Sequence, residues 1–447
     1  MTAASDKVYD KARLFLVSTM ALASAGVAYS IRANTAADLQ RVFLDPIDRA
    51  HSAEMIATIL GVPFLAFAIT IAIGSPLLDV IGMRVLLPLS PILLSLGMVM
   101  MAFAGNFVSG PNVYWALWSG ALVAGIGWGL AETVINPLIA SLYPDNKVAK
   151  LNAAHAWWPG GVVIGGLLGV GMSRLDLGWQ AKLVVVLLPA MVCAILTLGV
   201  KFPPTERKAA GISAGDMFKE LLKPLFFVLF CSMFLTAASE LAPGQWVDLA
   251  LTRTVGMQGI LLLVYVNGLM FVMRHFAGPL VHKLSPIGVL WCSCLGASLG
   301  LVALSFANSP VMGLLAATLW GTGVCYMWPT MLATASERFP RGGALLMGLM
   351  GTAGTLSIQF VLPIMGTIYD RKKLEVAGGE AAFNALQPGP ALESILGAAA
   401  QASFRAVAIL PAVLLIVFGA IWLYDRASYG KGGFKPQHIS GRVYNPE

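Results

Sequence analysis

Charged residues are scarce in this chain. Only 11 % of its 447 residues are Asp, Glu, Lys or Arg, whereas 57 % are hydrophobic. A soluble domain carries about 25 % charged residues, so this chain could not cover its outer surface in water. The shortage argues against a soluble enzyme, a nucleic-acid-binding module and a disordered tail. It predicts a protein whose surface faces a lipid bilayer.

Cysteine is also sparse, and its spacing fits neither disulfides nor a metal site. The five cysteines, at positions 193, 231, 292, 294 and 325, all lie within apolar runs, which is typical of small buried hydrophobic residues. The chain also lacks a nucleophile motif, a phosphate-binding loop and an ATP-binding motif. We therefore expect neither an enzyme nor a primary pump, and we expect no cofactor and no metal.

Long apolar runs dominate the sequence instead. Runs of about 20 residues, the length that crosses a bilayer, recur about twelve times. Barrel strands are about half as long and alternate in polarity, so the prediction is an all-α integral membrane protein with 12 transmembrane helices. The first run follows three basic residues, as a signal peptide does, but eleven further spans favour a first transmembrane helix. The predicted spans are 13–31, 53–74, 84–104, 113–142, 153–173, 181–200, 223–247, 257–276, 286–306, 310–334, 344–369 and 404–424.

The basic residues predict the orientation of these spans. The net charge is +7, and 19 of the 29 basic residues lie on the cytoplasmic side if both termini are cytoplasmic. The main contrary feature is Arg371-Lys372-Lys373, in a long connection over 370–403 that we predict to be extracellular, with a short interfacial helix at its Ala-rich end. We expect a multi-pass protein of the cell membrane, or of the inner membrane in a Gram-negative cell.

The longest polar stretch inside the chain, about 201–222, divides the spans six and six. The predicted domains follow from this division. They are an N-terminal six-helix bundle over 1–200, a cytoplasmic linker over 201–222, a C-terminal six-helix bundle over 223–430 and a cytoplasmic tail over 431–447.

An internal repeat relates the two halves. The segment GIGWGLAETVINPLIASLYP (125–144) aligns without a gap with GTGVCYMWPTMLATASERFP (321–340), and the glycines at positions one and three and the proline at position twenty coincide. A predicted gating turn, Asp79-x-x-Gly82-x-Arg84, has its counterpart in His282-x-x-Ser285. Two six-helix halves related in this way resemble the parallel repeat of a major facilitator transporter.

Glu132 is the clearest functional candidate. It lies deep in span four, where a charged side chain costs about 2.5–3.5 kcal/mol on insertion scales. Trp128 and Asn136 lie one turn before and one turn after it, so all three share one helix face. Such a face can line a polar cavity, stack a ligand on the indole and exchange a proton. The alternative is a glutamate that a neighbouring helix neutralises for packing alone.

Other polar residues within the spans are further cavity candidates. Asn152 and His155 open span five, where each could equally have a structural role. Glu240 precedes a Pro-Gly pair that should break span seven. Arg274 is expected to snorkel to the headgroups, but Arg274 or Arg32 facing the cavity would indicate an anionic solute. The remaining substrate-binding candidates are Trp158, Gln245, Asn267, Tyr326, Trp328 and Gln359.

A stripe of small residues follows in span five. Gly161, Gly165 and Gly169 recur at every fourth position, and such stripes allow helices to approach closely. We predict that this stripe is a packing seam between the two halves, at the place where they rock, and not a ligand site.

The run Glu132-Thr133-Val134-Ile135-Asn136-Pro137, followed by Leu151-Asn152, resembles the fucose–proton symporter family of the major facilitators. Members carry E-T-x-x-N-P in span four and an R-L-N-x-x-Q-type segment at the start of span five. The resemblance implies a sugar–proton symporter in which Glu132 is protonated and coupled to substrate. This sequence departs from the family in three places, and these leave proton coupling and the identity of the sugar open. Span one has no acid, His155 replaces a Gln, and Trp158 replaces a polar Asn.

Together these features predict a secondary transporter that moves a small polar, sugar-like solute by alternating access and is coupled to protons through Glu132. An organic-anion carrier and a drug or lipid exporter of the same fold are the alternatives on substrate. A non-transporting membrane receptor is the alternative from another class. The expected partners are the solute, the proton and the bilayer, without nucleic acid, and we expect a monomer.

Overall fold

The computed structural model of this chain describes residues 9–143, 150, 153–203, 219–255, 259–274, 277–339, 343–430 and 434. Over these ranges the regular structure is helical throughout, with no strand. Eleven helices are long and apolar enough to cross a membrane, and Gly259–Met273 is a shorter apolar helix that completes a set of twelve. The predicted all-α membrane fold is therefore confirmed.

The helices follow the predicted spans but extend beyond most of them. The first half contains α1 (Lys11–Leu39), α2 (Ser52–Ile81), α3 (Met83–Ala102), α4 (Asn112–Leu142), α5 (Trp157–Arg174) and α6 (Trp179–Val185 joined to Leu187–Thr197). The second half contains α7 (Pro224–Val255), α8 (Gly259–Met273), α9 (286–304), α10 (Pro310–Val324), α11 (Gly343–Ala377) and α12 (Pro390–Tyr429). Residues 277–284 follow α8 and end at Ser285, where the backbone leaves the helical conformation before α9.

The repeat seen in the sequence is also present in the packing of α4 and α10. A methyl group on Gly125 in α4 would lie 2.4 Å from the Pro63 carbonyl oxygen in α2. At the aligned position in α10, a methyl group on Gly321 would lie 3.0 Å from Val266 in α8. The first glycine of each segment thus allows the fourth helix of its half to approach the second.

The next pair of aligned glycines behaves in the same way toward the third helix. A methyl group added to Gly127 would lie 2.4 Å from the backbone of Leu94 in α3. A methyl group added to Gly323 would lie 2.2 Å from the backbone of Ala297 in α9. The turns between the second and third helices also correspond, because Gly82 (φ 90°) and Ser285 (φ 64°) both have positive φ angles. The same close helix contacts and the same kind of turn therefore occur in both halves.

The connection predicted over 370–403 is mostly helical. α11 continues to Ala377, a short helix covers Glu380–Ala385, and α12 already begins at Pro390. The short helix thus lies earlier than predicted, and the Ala-rich segment forms the first turns of α12. Phe383 of the short helix and Leu392 of α12 bury their side chains in a small apolar cluster. The short helix and the first turns of α12 therefore pack against each other.

The glycine stripe of α5 packs within the first half, so the predicted seam between the halves is wrong. A methyl group on Gly161 would lie 2.2 Å from the Ala23 carbonyl oxygen, and one on Gly165 would lie 2.8 Å from Val27. Both partners belong to α1, and the stripe therefore fastens α5 to α1. A different face of α5 meets the other half, where Gly166 lies against Val264 of α8.

The two halves meet along three helix pairs: α1 with α7, α2 with α11, and α5 with α8. The α2–α11 pair packs along much of its length, from Glu54 beside Gly366 at one end to Ser75 near Gly348 at the other. In the α1–α7 pair, the Tyr29 hydroxyl donates a hydrogen bond of 2.8 Å to the Leu241 carbonyl oxygen.

Polar contacts close one end of the α2–α11 pair, and we name this group the clasp. The Asp370 carboxylate of α11 accepts a hydrogen bond of 2.9 Å from the Glu54 backbone N–H at the start of α2. The Lys373 ammonium lies 2.6 Å from the Asp370 carboxylate and donates to the Arg49 carbonyl oxygen at 3.2 Å. Both side chains are buried. The ion pair itself lies within α11, and the hydrogen bonds that its two members make to the Glu54 N–H and the Arg49 carbonyl oxygen link the halves.

His51 adds a titratable group beside the clasp, outside the membrane-spanning segments. Its ring lies 2.9 Å from the Asp48 carboxylate. This hydrogen bond raises the pKa of His51, and the carboxylates of Asp370 and Glu380 act in the same direction. The contact between His51 and Asp48 therefore stabilises the folded protein fully at pH values below the ordinary histidine pKa. This stabilisation is lost as the pH rises through the raised pKa of His51.

We expect Gly161→Ala to lower the melting temperature of the purified protein. The added methyl group would overlap the α1 backbone, and overpacking of this kind costs about 1–3 kcal/mol. Gly171→Ala is the matched control, because it lies in the same helix and an added methyl group there has no neighbour within 4 Å. Equal melting temperatures for the two variants would contradict the assignment of the stripe to the α1–α5 contact.

Asp370→Ala should destabilise the protein more than removal of both charges of the clasp. The single variant leaves the Lys373 charge buried without its partner, and breaking a buried pair costs about 3–5 kcal/mol. The double variant Asp370→Ala/Lys373→Met removes that uncompensated charge, so part of the loss should be recovered. Unfolding by SDS titration in mixed micelles measures the difference. A double variant that is less stable than the single one would argue against a buried ion pair.

Candidate transport site

A small closed cavity lies between the two halves, near the middle of the helices. Its volume is about 10 Å³, which is room for about one water molecule. Helices α1, α5, α7, α8 and α10 contribute its walls, so both halves take part. The lining residues are Tyr29, Trp158, Glu240, Leu241, Leu263, Val266, Asn267, Met270, Trp320 and Val324.

Aromatic side chains form the first-half wall of this cavity. The Trp158 indole lies 5.1 Å from the Tyr29 ring, between centroids, and 6.5 Å from the nearly parallel Trp128 indole. Phe64 and Phe67 of α2 hold Trp128 in turn, at centroid distances of 5.5 and 4.5 Å. Because each indole nitrogen is buried without a hydrogen-bond partner among the described residues, this wall combines apolar rings with two unused donors.

A line of polar side chains runs from Glu132 across to α5. The Asn136 amide nitrogen donates to the Glu132 carboxylate at 3.2 Å, and the Asn136 amide oxygen lies 2.7 Å from the His155 ring nitrogen Nε2. The i, i+4 spacing on α4 places Glu132 and Asn136 in contact, and His155, two residues before α5, joins them through Asn136. Pro137 follows directly, and because proline has no N–H it leaves the Thr133 carbonyl without its helical hydrogen bond.

Glu132 lies beside the closed cavity and does not line it. It is one helical turn from Trp128, and Trp128 stacks on Trp158, which does line the cavity. The aromatic wall therefore separates the Glu132–Asn136–His155 line from the cavity.

Arg274 is buried and paired, which corrects the prediction that it snorkels to the headgroups. Its guanidinium lies 3.3 Å from the Glu240 carboxylate, and both side chains are buried. Its Nε donates at 3.2 Å to the Cys325 carbonyl oxygen. Cys325 and Tyr326 form a break between α10 and the helix Met327–Arg338, so the guanidinium binds a carbonyl that the break exposes.

Three lining residues carry polar atoms that have no hydrogen-bond partner among the described residues. These are the second carboxylate oxygen of Glu240, the amide oxygen of Asn267 and the indole nitrogen of Trp158. Buried polar groups in folded proteins are nearly always paired, so each exception requires an explanation. Donors and acceptors together at one cavity indicate a site that binds a polar molecule.

Arg32 is a further unpaired group close to this site. It lies one turn after Tyr29 on α1, with only 3 % of the residue exposed, and its Nε has no hydrogen-bond partner. The prediction left open whether Arg32 or Arg274 would face the cavity. Arg274 is occupied by Glu240, whereas no carboxylate of the described residues forms an ion pair with Arg32.

Several predicted cavity residues lie elsewhere. The Trp328 ring packs against the backbone of Gly354 in α11, within the second half, and Gln359 lies against Gly61 at the α2–α11 contact. Gln359 keeps a buried amide oxygen without a partner. The Tyr326 hydroxyl donates to the Met273 carbonyl oxygen at 3.1 Å. These contacts place the three residues in packing between helices and not in the cavity wall.

The predicted gating turn is described in part. Gly82 adopts the positive φ angle that ends α2, and the Arg84 side chain is exposed just beyond it. The remaining predicted residues cannot be placed as side chains, because Asn152 and the side chains of Asp79 and Gln245 lie outside the described part of the chain.

Two aromatic residues of the cavity wall, Tyr29 and Trp320, were not predicted from the sequence, and neither were its aliphatic residues and Met270. Tyr29 is conspicuous in retrospect, because it is the one tyrosine in a helix otherwise rich in Ala, Ser and Gly. Trp320 has no comparable signal in the sequence. Its indole nitrogen donates to the Ser239 carbonyl oxygen at 3.0 Å. Across the described residues, no group of three His, Cys, Asp or Glu side chains could hold a metal ion.

Comparison with known proteins places this architecture in context. A family model described as Major Facilitator Superfamily matches residues 13–361, whereas a comparison with curated protein sequences finds no significant match. Among solved structures, a bacterial homolog of the human lysosomal transporter Spinster has a TM-score of 0.71 at 18 % identity, over 96 % of this chain and 99 % of that chain.

Two further solved structures have the same fold. The partially occluded, inward-open xylose transporter XylE from E. coli has a TM-score of 0.69 at 15 % identity, over 91 % of this chain and 97 % of that chain. The nucleoside transporter NupG has a TM-score of 0.68 at 13 % identity, over 92 % and 99 %. At such low identities the likeness shows the fold alone.

Proposed function

This chain belongs to the Major Facilitator Superfamily, and we propose that it is a secondary transporter that moves a small polar solute across the bilayer by alternating access. The observation that carries the proposal is the cavity between the halves, with its three unpartnered polar atoms on Trp158, Glu240 and Asn267. A packing cavity in a membrane protein would be lined by apolar atoms alone. Polar groups at the contact of two rocking halves suit a solute that is bound and then released.

A sugar-like solute fits the chemistry of the walls. The apolar face of a sugar ring packs on an indole, and its hydroxyls need both donors and acceptors. Trp128 and Trp158 supply the rings and two unused donors, and Asn267 supplies an acceptor. The similarity in fold to a xylose transporter and the E-T-x-x-N-P motif at Glu132 support the same solute class.

Transport requires the closed arrangement to open on either side in turn. Ligand pockets measure about 300–1,000 Å³, far more than the cavity of about 10 Å³ between the halves. Opening toward one end must separate α2 from α11 at the clasp, because Asp370 and Lys373 join the halves there. We propose that solute binding offsets the cost of breaking one set of closing contacts while the opposite set forms.

We propose that Glu132 carries the coupled proton. A carboxylate is costly to move through an apolar interior, whereas its protonated form is neutral and can donate a hydrogen bond. Asn136 gives Glu132 a neutral hydrogen-bond partner in either state, and His155 in turn contacts Asn136. Protonation would thus permit the loaded carrier to close around its solute, and deprotonation on the other side would favour release.

We propose that both termini and the 201–222 segment are cytoplasmic, which places the clasp at the extracellular end. The basic cluster Arg371-Lys372-Lys373 would then be extracellular, against the positive-inside rule, but two of its three side chains are paired with carboxylates. Lys373 is buried in the pair with Asp370, and Lys372 lies 2.6 Å from the Glu375 carboxylate. The positive-inside rule concerns basic residues that are free in the loops.

A reporter fused after Glu447, or inserted near position 210, should be active only in the cytoplasm. The expectation follows from the excess of basic residues on that side. A reporter inserted near position 387, between the short helix and α12, should behave in the opposite way. Reporter activity outside the cytoplasm from either of the first two fusions would invert the proposed orientation.

Glu132→Gln should abolish solute accumulation driven by a pH gradient in proteoliposomes but preserve exchange of labelled for unlabelled solute. The carboxamide keeps the size of the protonated acid and cannot titrate. A melting-temperature screen with pentoses, hexoses and sugar acids identifies the solute for this assay. The wild type should lose affinity for that solute as pH rises through the titration of Glu132, whereas the variant should bind with little dependence on pH.

Glu375→Gln is the matched control for this experiment, because its side chain is 69 % exposed and lies away from the cavity. It should accumulate solute as the wild type does. Full gradient-driven accumulation by Glu132→Gln, with an unchanged pH profile, would show that another group carries the proton. Glu240 would then be tested in the same assay.

A further inference from the structure

We propose that Arg32 binds a negatively charged group of the solute, so that the transported molecule is a sugar acid or a related hydroxylated carboxylate and not a neutral sugar. This inference rests on the proposed transport function and adds the substrate class to it. Nothing in the family motif at Glu132 requires it. The inference follows from the surroundings of the Arg32 side chain.

Arg32 is the exception among the buried cations that the structure describes. Each of the others lies within 4.0 Å of a carboxylate: Lys182 of Asp38, Arg338 of Asp425 and Lys373 of Asp370. Arg274, also buried, has Glu240. Arg32 has no ion pair within the described chain and its Nε has no hydrogen-bond partner there, although only 3 % of the residue is exposed.

Such a charge cannot be removed by loss of a proton, because the guanidinium stays protonated in proteins. An isolated charge in a membrane protein interior is costly and marks a functional site by default. A counter-charge that arrives with the solute would resolve the cost. Arg32 would then be uncompensated only while the site is empty, which favours binding of an anion over a neutral molecule of the same shape.

Arg32 lies one helical turn from a residue that lines the cavity. Tyr29 and Arg32 are three residues apart on α1, so they share a face of the helix, and side chains on a helix tilt toward its N-terminus, which for Arg32 is the turn that carries Tyr29. Tyr29 in turn lines the cavity and hydrogen-bonds to Leu241 of α7. Arg32 therefore lies beside the wall where the two halves meet.

A carboxylate is the anion that best fits both this position and the rest of the site. The planar guanidinium forms two parallel hydrogen bonds to a carboxylate, which fixes the solute in one orientation. The hydroxyls of a sugar acid would then reach the unused groups of Trp158 and Asn267. A purely apolar drug or a lipid would leave all of these groups unpaired.

Two matched pairs of probes test the proposal on the full-length protein in detergent. They are D-gluconate with D-sorbitol, and D-glucuronate with D-glucose, so each acid is compared with a neutral molecule of nearly the same shape. Melting temperature as a function of probe concentration gives the affinity. At least one acid should bind about tenfold or more tightly than its neutral partner, the size expected for a charge-assisted hydrogen bond.

Variants assign the effect to the side chain. Arg32→Gln should reduce the affinity for that acid to the level of its neutral partner, and Arg32→Lys should be intermediate because an ammonium cannot bind bidentately. Arg41→Gln is the matched control, since Arg41 is exposed and lies farther along the chain beyond α1. Without any probe, Arg32→Gln should melt no lower than the wild type, because an unpartnered buried charge does not stabilise the fold.

Any of four results would overturn the proposal. These are equal affinity for acid and neutral partner, no shift with either acid, unchanged acid binding by Arg32→Gln, and a lower melting temperature of Arg32→Gln without a probe. The last would show that Arg32 has a structural role. Failure here is distinct from failure of proton coupling, because a neutral sugar could still accumulate through Glu132, and an acid could still bind without proton-driven uptake.

Discussion

A bilayer offers no hydrogen bonds to the groups that it surrounds, and this constraint accounts for most polar contacts in the protein. Charged side chains within the helices find partners on neighbouring helices, as Arg338 does with Asp425 and Arg274 with Glu240. Because each partner comes from another helix, the pairs also fix how the helices pack. Of the twelve buried side-chain atoms without a hydrogen-bond partner among the described residues, three belong to residues that line one cavity between the halves, and this group marks the candidate site.

The same side chains serve the site and the contacts that must change during transport. Tyr29 lines the cavity and also ties α1 to α7 through the Leu241 carbonyl. Arg274 neutralises Glu240 at the cavity and binds the Cys325 carbonyl at the break after α10. A solute that displaces either contact would act directly on the packing of the helices. In the proposed mechanism, binding and movement of the halves would therefore be coupled through side chains that take part in both.

Hydropathy and helical geometry suffice to predict the fold and one face of the site, but they do not predict the partners between helices. The twelve spans follow from apolar length, and the Glu132–Asn136 contact follows from the i, i+4 spacing on one helix. The pairing of Arg274 with Glu240 joins two helices whose packing no local pattern encodes. The Gly161 stripe shows the same limit, because its small residues indicate close approach without indicating which helix approaches.

The two buried acids near the cavity differ in a way that bears on coupling. Glu240 has a permanent counter-charge in Arg274 at 3.3 Å, so protonation of Glu240 would leave a buried cation uncompensated. Glu132 contacts the neutral Asn136 amide, with no Lys or Arg ion pair among the described residues. Its protonation therefore removes a charge that has no ion-pair partner among the described residues, and leaves no partner of that kind uncompensated there. Of the two, Glu132 is the acid whose charge can change at the lower cost, and a carrier that reorients with a proton requires that property.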